Sequence, residues 1–187
     1  MQIYNEDKGL DFGKWNDPTS KLIYYDSVKE ILQKINIPKK VADFGGGNGI
    51  LKNFIPNIIT IDIDPTKKPD VIDNILTHTG TYDLIIIRFV LHYLNDYEII
   101  QLFNNLKSSN ILVIQFINND LLSKYENSIN EFKYFRTENQ LEALIPLGEI
   151  IYQKEYIVTK EFYKNRLNNN NAIQHKEIIK AYYYEHN

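Results

Sequence analysis

A chain of 187 residues, 43% hydrophobic and 13% aromatic, has enough apolar side chains for one sizeable core and too few for two, so a single domain is expected. It has no cysteine, which excludes disulfides, thiolate metal sites and a cysteine nucleophile. The net charge of -3, with lysines and arginines dispersed, argues against a nucleic-acid partner; no apolar run approaches the roughly 18 residues a membrane span needs; and the polar N-terminus lacks the pattern of a secretory signal. A cytoplasmic protein with a small-molecule or peptide-like partner is the expectation.

Asn16-Asp17-Pro18 has the form of a helix start, and Leu22, Tyr25, Val28, Leu32 and Ile35 follow at helical spacing, so a helix is predicted to about Ile35, before Pro38. Val41–Phe44 reads as a short strand that enters Gly45-Gly46-Gly47-Asn48-Gly49, after which Ile50, Leu51 and Phe54 are spaced as in a helix. Strands are predicted at Ile58–Ile63, at Val71 and Ile72, and at Leu84–Phe89, the last apolar on both faces up to Arg88, as suits a parallel strand covered on both sides. Asp96–Leu106 is a predicted helix and Ile111–Ile117 a fifth strand. Thr137 with Gln140 forms a capping-box pattern opening a helix through Leu144, and Ile150–Val158 and Ile178–Tyr184 read as two further strands. Strands alternating with helices predict a doubly wound α/β fold with a mostly parallel seven-stranded sheet and a C-terminal antiparallel strand.

The glycines stand where a strand turns into a helix, so the backbone can bend tightly and a ligand can lie against the main chain. A dinucleotide fingerprint, G-x-G-x-x-G, would place its last glycine where Ile50 stands, whereas this loop reads D-x-G-x-G-x-G. Asp43, ending the first strand, suits a cationic ligand and repels pyrophosphate. Asp62 ends the second strand about 17 residues after Gly45, where a carboxylate can accept both ribose hydroxyls.

VADFGGGNG, ITIDID, PDVIDNI and YDLIIIRFVLHYL resemble, in order, the motifs of class I S-adenosylmethionine-dependent methyltransferases of the methyltransferase type 11 kind, over residues 40 to 117. The resemblance implies a Rossmann-like fold with S-adenosylmethionine as cofactor. Residues 1–36 would form an N-terminal lid and helix, 40–117 the cofactor-binding half, and 118–187 the substrate-side half and last strands. Asp43, Gly45, Gly46, Gly47, Asn48 and Gly49 would line the methionine moiety, Asp62 would hold the ribose, and Ile63 would flank the adenine. Asp73 would meet the adenine amino group with Asn74 and Ile75 beside it. Arg88 and Phe89 would close over the cofactor.

RFVL stands where methyltransferases directed at amino groups of nucleic acids or glutamine carry N/D-P-P-Y/F, so that reaction class is disfavoured. Metal-dependent relatives use carboxylates around the fourth strand and beyond, where the only nearby acids after Asp83 are Asp96 and Glu98, so no metal is expected. If a general base exists, His92 is the candidate, because it follows the fourth strand and imidazole titrates near neutral pH. Packing is the competing reading for His92, a cap or solvated acid for Asp73, and pairing with a carboxylate for Arg88. The resemblance implies that the N-terminal segment with Tyr4 and Trp15 folds over the cofactor edge, while Tyr125, Phe132, Tyr134, Phe135, Phe162 and Tyr163 suggest an aromatic-lined pocket for the acceptor, with O-methylation favoured. The alternatives are a non-catalytic cofactor-binding partner subunit and an NAD-dependent oxidoreductase. A homodimer is the other assembly considered.

Overall fold

Leu84-Ile85-Ile86-Ile87-Arg88 is buried along its whole length, and the topology explains why: this strand is the middle one of seven, with neighbours on both edges and cover on both faces. The computed structural model describes residues 28–34, 38–108, 110–117, 133–134, 136–145, 150–157 and 178–185. The elements in chain order are α1 (28–34), β1 (Val41–Phe44), β2 (Ile59–Asp62), β3 (Val71–Ile72), β4 (Thr81–Tyr82), β5 (Leu84–Arg88), α2 (Asp96–Asn105), β6 (Lys107–Ser108), β7 (Asn110–Ile117), α3 (Glu138–Leu144), β8 (Ile150–Ile157) and β9 (Ile178–Glu185).

The main sheet runs β3-β2-β1-β5-β7-β9-β8. Its first five strands pair in parallel, and β9 lies antiparallel to both β7 and β8. The two-residue strands β4 and β6 form a separate parallel pair.

Side chains alternate across this sheet, as strand geometry requires. Ala42, Phe44, Ile85, Ile87, Ile111 and Val113 share one core with Ile99, Leu102 and Phe103 of α2 and Leu141 of α3. The intervening residues, among them Val41, Leu84, Ile86, Leu112 and Ile114, are also buried.

Both described interior helices begin where the sequence pattern places them. Asn95 caps α2 by accepting the Glu98 N–H while Glu98 accepts the Asn95 N–H, and Thr137 and Gln140 repeat the arrangement for α3. Each such cap contributes about 1 kcal/mol.

The predicted helix after the glycine loop is absent. Ile50–Asn53 forms a single 3-10 turn instead. Residues 50–58 are all the chain has between Gly49 and β2, and Pro56 among them both lacks a donor and bars helical angles at the residue before it. The expected helix before residue 28, Tyr4 and Trp15, the segments 118–132 and 159–176 with Tyr125, Phe132, Phe162 and Tyr163, and Phe135 lie outside the described residues.

Candidate functional site

The carboxyl ends of β1, β2, β5 and β7 lie side by side, which in an open parallel sheet is where a ligand crevice forms. Gly45, Gly47 and Gly49 take φ of 67°, 52° and 69°, a region that side chains with a Cβ enter only under strain. A Cβ on Gly45 would also strike the Val90 side chain.

The loop is tied to the second strand at three points. The N–H groups of Gly45 and Gly46 donate to the Ile61 carbonyl at 2.8 and 3.3 Å, and the Gly47 N–H donates to Asp62 Oδ2 at 2.9 Å. Asp62 Oδ1 accepts the Asp64 N–H at 2.9 Å. Each carboxylate oxygen thus has one backbone anchor and keeps acceptor capacity for a ligand. Asn48 at the loop tip is exposed, Ile63, which follows Asp62, is 51% exposed, and Ile72, paired with Asp62 across the strands, is 62% exposed.

Asp43 departs from its expected role. Its carboxylate is fully buried and forms an ion pair with Arg88, Oδ2 to Nη2 at 2.7 Å, with Nε to Oδ1 at 3.4 Å. Gly46 packs directly on it, since a Cβ there would lie 2.9 Å from the Asp43 carbonyl oxygen and 3.0 Å from its carboxylate. Burial pushes the Asp43 carboxyl above its ordinary value and the Arg88 guanidinium pulls it back. The cation that Asp43 faces is therefore internal. For Arg88, pairing with a carboxylate is the reading the geometry selects.

Asp73 follows β3, and its N–H donates to the Asp62 carbonyl at 3.1 Å. Its Oδ1 accepts the Asn74 N–H, and its Oδ2 lies 2.8 Å from His78 Nδ1, whose Nε2 is 2.9 Å from the Tyr82 hydroxyl. The contact with His78 lowers the Asp73 carboxyl from its usual range. Ile75 is half-buried alongside. His78 and Tyr82 meet the Phe44 ring edge-on, so this polar chain is seated on the core. Sequence reasoning missed both His78 and Tyr82, and the histidine four residues before a tyrosine was the only signal.

The chain leaving β5 turns sharply. Phe89 has φ of 52°, costly for a bulky side chain, and its N–H donates to the Ile114 carbonyl at 2.8 Å. A 3-10 turn, Leu91–Tyr93, follows and carries His92, which is 1% exposed. The His92 ring lies parallel to that of Phe89, with centroids 6.3 Å apart, and meets Tyr93 edge-on. The Gln115 amide rests on His92 Nδ1 and lies 3.3 Å from Nε2.

The residues just before α3 reach back to this turn. The His92 carbonyl accepts the N–H groups of Lys133 and Tyr134 at 3.1 and 2.9 Å, while Arg136 donates to the carbonyls of Leu91 and Leu94 and to Asp96. Tyr134 and Arg136 also border an open cavity of about 330 Å³ against α2 and α3. Neither Gln115 nor Arg136 was singled out from the sequence, because polar residues inside a strand and before a helix carry no spacing signal. Among the described residues no group of three or more acids and histidines is placed to hold a metal.

A methyltransferase domain profile matches residues 19–150. Comparison with curated protein sequences gives no match. The fold is similar to N-methyltransferase NodS from Bradyrhizobium japonicum WM9, solved with S-adenosyl-L-homocysteine, at 12% identity and a TM-score of 0.66 over 98% of this chain and 93% of that one. It is also similar to a SAM-dependent methyltransferase from Archaeoglobus fulgidus, at 14% identity and a TM-score of 0.62 over 93% and 97%. A third similar structure is the plantazolicin methyltransferase BpumL, solved with a triazolic desmethylPZN analog and SAH, at 13% identity and a TM-score of 0.58 over 94% and 88%. The matched profile spans more than half of the chain, and the protein belongs to the methyltransferase domain family as a class I S-adenosylmethionine-dependent methyltransferase.

Proposed function

We propose that this enzyme moves the methyl group of S-adenosylmethionine to an oxygen of a small-molecule or peptide-like acceptor, with the cofactor across the carboxyl ends of β1, β2 and β5. The observation that carries the reading is Asp62, whose two oxygens are each fixed by one backbone N–H while their remaining lone pairs are left for hydroxyl donors. Gly45 to Gly49 supply a backbone surface for the methionine portion, and Ile63 supplies an apolar wall for the adenine, with Asp73, Asn74 and Ile75 along its edge. Arg88 acts from beneath, by holding Asp43 and so the loop, and Phe89 shapes the exit from β5.

The bound cofactor would supply an electrophilic methyl on a sulfonium. The chain's part is then to align an acceptor and exclude water, which suffices for much of the rate. His92 is the proposed proton acceptor. Nitrogen is the second reading for the methylated atom, favoured by the likeness in fold to an N-methyltransferase.

Calorimetric titration with S-adenosylmethionine, S-adenosylhomocysteine and NAD tests the cofactor site. Both sulfur compounds are expected to bind and NAD is not, and Asp62→Ala is expected to lose at least about tenfold in affinity, the loss of one or two hydrogen bonds. Equal binding by Asp62→Ala, in protein shown to be folded, would remove Asp62 from the site. Binding of the sulfur compounds without turnover of any acceptor would move the balance to a cofactor-binding partner subunit.

A further inference from the structure

Between β3 and β4 the chain doubles back, so that Asp73 at the start of the connection meets His78 near its end. Asn74 Oδ1 accepts the Leu76 N–H at 3.0 Å, and the Asn74 carbonyl accepts the N–H groups of Thr77 and His78, both at 3.0 Å. Asn105 of α2 donates to the Leu76 carbonyl at 2.8 Å, which ties the turn to that helix. His78 is thereby placed with Nδ1 2.8 Å from Asp73 Oδ2 and Nε2 2.9 Å from the Tyr82 hydroxyl. The His78 side chain is 11% exposed and that of Asp73 42%. The chain passes so close over this junction that a Cβ on Gly80 would strike both His78 Nε2 and the Tyr82 hydroxyl, and Lys40 Nζ lies over the Tyr82 ring.

The chemistry of these groups fixes which atoms carry protons. An ionised carboxylate only accepts, so the ring nitrogen against Asp73 carries its hydrogen, and the tautomer is Nδ1–H. In the neutral ring Nε2 accepts the Tyr82 O–H; in a charged ring Nε2–H donates to the same oxygen, and the chain of bonds is unbroken. Burial, with Asp73 adding to it, pushes the Tyr82 hydroxyl above its ordinary value, so it keeps its proton. The contact with His78 lowers the Asp73 carboxyl, which stays ionised. With Oδ1 on the Asn74 N–H and Oδ2 on His78 Nδ1–H, the carboxylate is held in one orientation while each oxygen keeps acceptor capacity.

We propose that His78 is a positioning residue for the cofactor's base. Braced by Tyr82, it holds the Asp73 carboxylate in the orientation that accepts from the exocyclic amino group of adenine, and so sets the preference for adenine over a base with a carbonyl there. A carboxylate accepts from an amino N–H and repels a carbonyl oxygen, so the choice is made by sign rather than by fit. An unbraced aspartate this open to solvent would have to be ordered at the moment of binding, whereas one held from two sides is ordered beforehand. This inference rests on the proposed placement of Asp73 at the adenine edge.

Calorimetric titration with S-adenosylhomocysteine and with S-inosylhomocysteine, whose base carries a carbonyl in place of the amino group, tests the inference in the intact protein. The parent is expected to prefer the adenine compound by at least about tenfold, the effect of a hydrogen bond to a charged group. Asp73→Ala is expected to abolish the preference. His78→Phe, which keeps a ring in place but offers no donor, is expected to lower it by about three- to tenfold, the effect of ordering one side chain on binding. His78→Asn, whose amide N–H can stand where Nδ1–H does, is expected to retain most of it, and Tyr82→Phe to lower it by less than His78→Phe. A preference unchanged in folded His78→Phe, or an equal loss of affinity for both compounds, overturns the inference and leaves Asp73 where it is. No preference in the parent, or its survival in Asp73→Ala, overturns both the inference and the placement beneath it. Nitrogen NMR of the His78 ring in the ¹⁵N-labelled parent, assigned by through-bond correlation from its backbone, needs no variant: Nδ1–H is expected, and a ring protonated at Nε2 alone overturns the inference.

Discussion

The glycine loop with Asp62 and the turn with His92 follow neighbouring strands of one sheet and are assembled by different means. The loop is made of main chain: three glycines with positive φ, and N–H groups bonded to Ile61 and Asp62. The turn is made of side chains and carbonyls gathered from β5, β7 and the residues before α3, through Gln115, Lys133, Tyr134 and Arg136. A main-chain cradle can serve any chemistry that uses the same cofactor. A turn assembled from distant residues changes when any of them changes, and under the proposed function that is where acceptor choice belongs.

Arg88→Leu strikes both regions, since it strands Asp43 beneath the loop and alters the end of β5. The expected cost is about 3–5 kcal/mol, the penalty for a buried charge left unpaired. Because burial already holds the Asp43 carboxyl above its ordinary value, protonation relieves this penalty, and the deficit should narrow as pH falls. Denaturant unfolding at neutral and mildly acidic pH measures it. A deficit that is negligible, or grows in acid, would mean the pair does not hold the two regions together.

Arg136→Met should separate the two regions. The carbonyls of Leu91 and Leu94 lose their donor, at a cost of about 2 kcal/mol in stability. Turnover should fall while affinity for S-adenosylmethionine is unchanged. Calorimetry beside a methyl-transfer assay reads the contrast, and an equal loss in both would break it.

The smallest effect belongs to Asp70, on the loop side. Asp70 accepts from Lys52 Nζ at 2.6 Å and from the N–H and hydroxyl of Thr60 at 2.8 Å, and these bonds, Lys52's first, lower its carboxyl from 3.8 to about 2. A carboxylate depressed by folding contributes stability above its unfolded value, lost as pH falls from about 4 toward 2. With the side chain 41% exposed, screening leaves about 1 kcal/mol. Asp70→Asn should therefore be less stable at neutral pH and equal to the parent near pH 2 in thermal melts. A gap independent of pH would assign the loss to something other than charge.

The same contrast decides what was legible in the sequence. β1, β2, β5, α2 and the capped start of α3 could be read because apolar runs, glycines, helical spacing and a capping pair are local patterns. The helix expected after Gly49 failed because its apolar spacing was correct while the nine-residue interval with Pro56 left no room for it. Asp43 was read as an open acid because its partner, Arg88, stands 45 residues away. Gln115 and Arg136 were invisible for the same reason: Gln115 meets His92 from 23 residues away, and Arg136 meets Leu91, Leu94 and Asp96 from 40 to 45 residues away.

The short turn at Ile50–Asn53 has a consequence for how this protein breathes. Beside it, β3 is held to β2 by two residue pairs, by the Asp73 N–H on the Asp62 carbonyl and by the contacts of Asp70 with Lys52 and Thr60. Opening that edge breaks few bonds and exposes little apolar surface, so its amides exchange with solvent through small local fluctuations. A cofactor that binds only the closed edge suppresses those openings in proportion to its occupancy. Exchange at Val71–Asp73 thereby becomes a gauge of cofactor loading, read at some distance from the atoms that react.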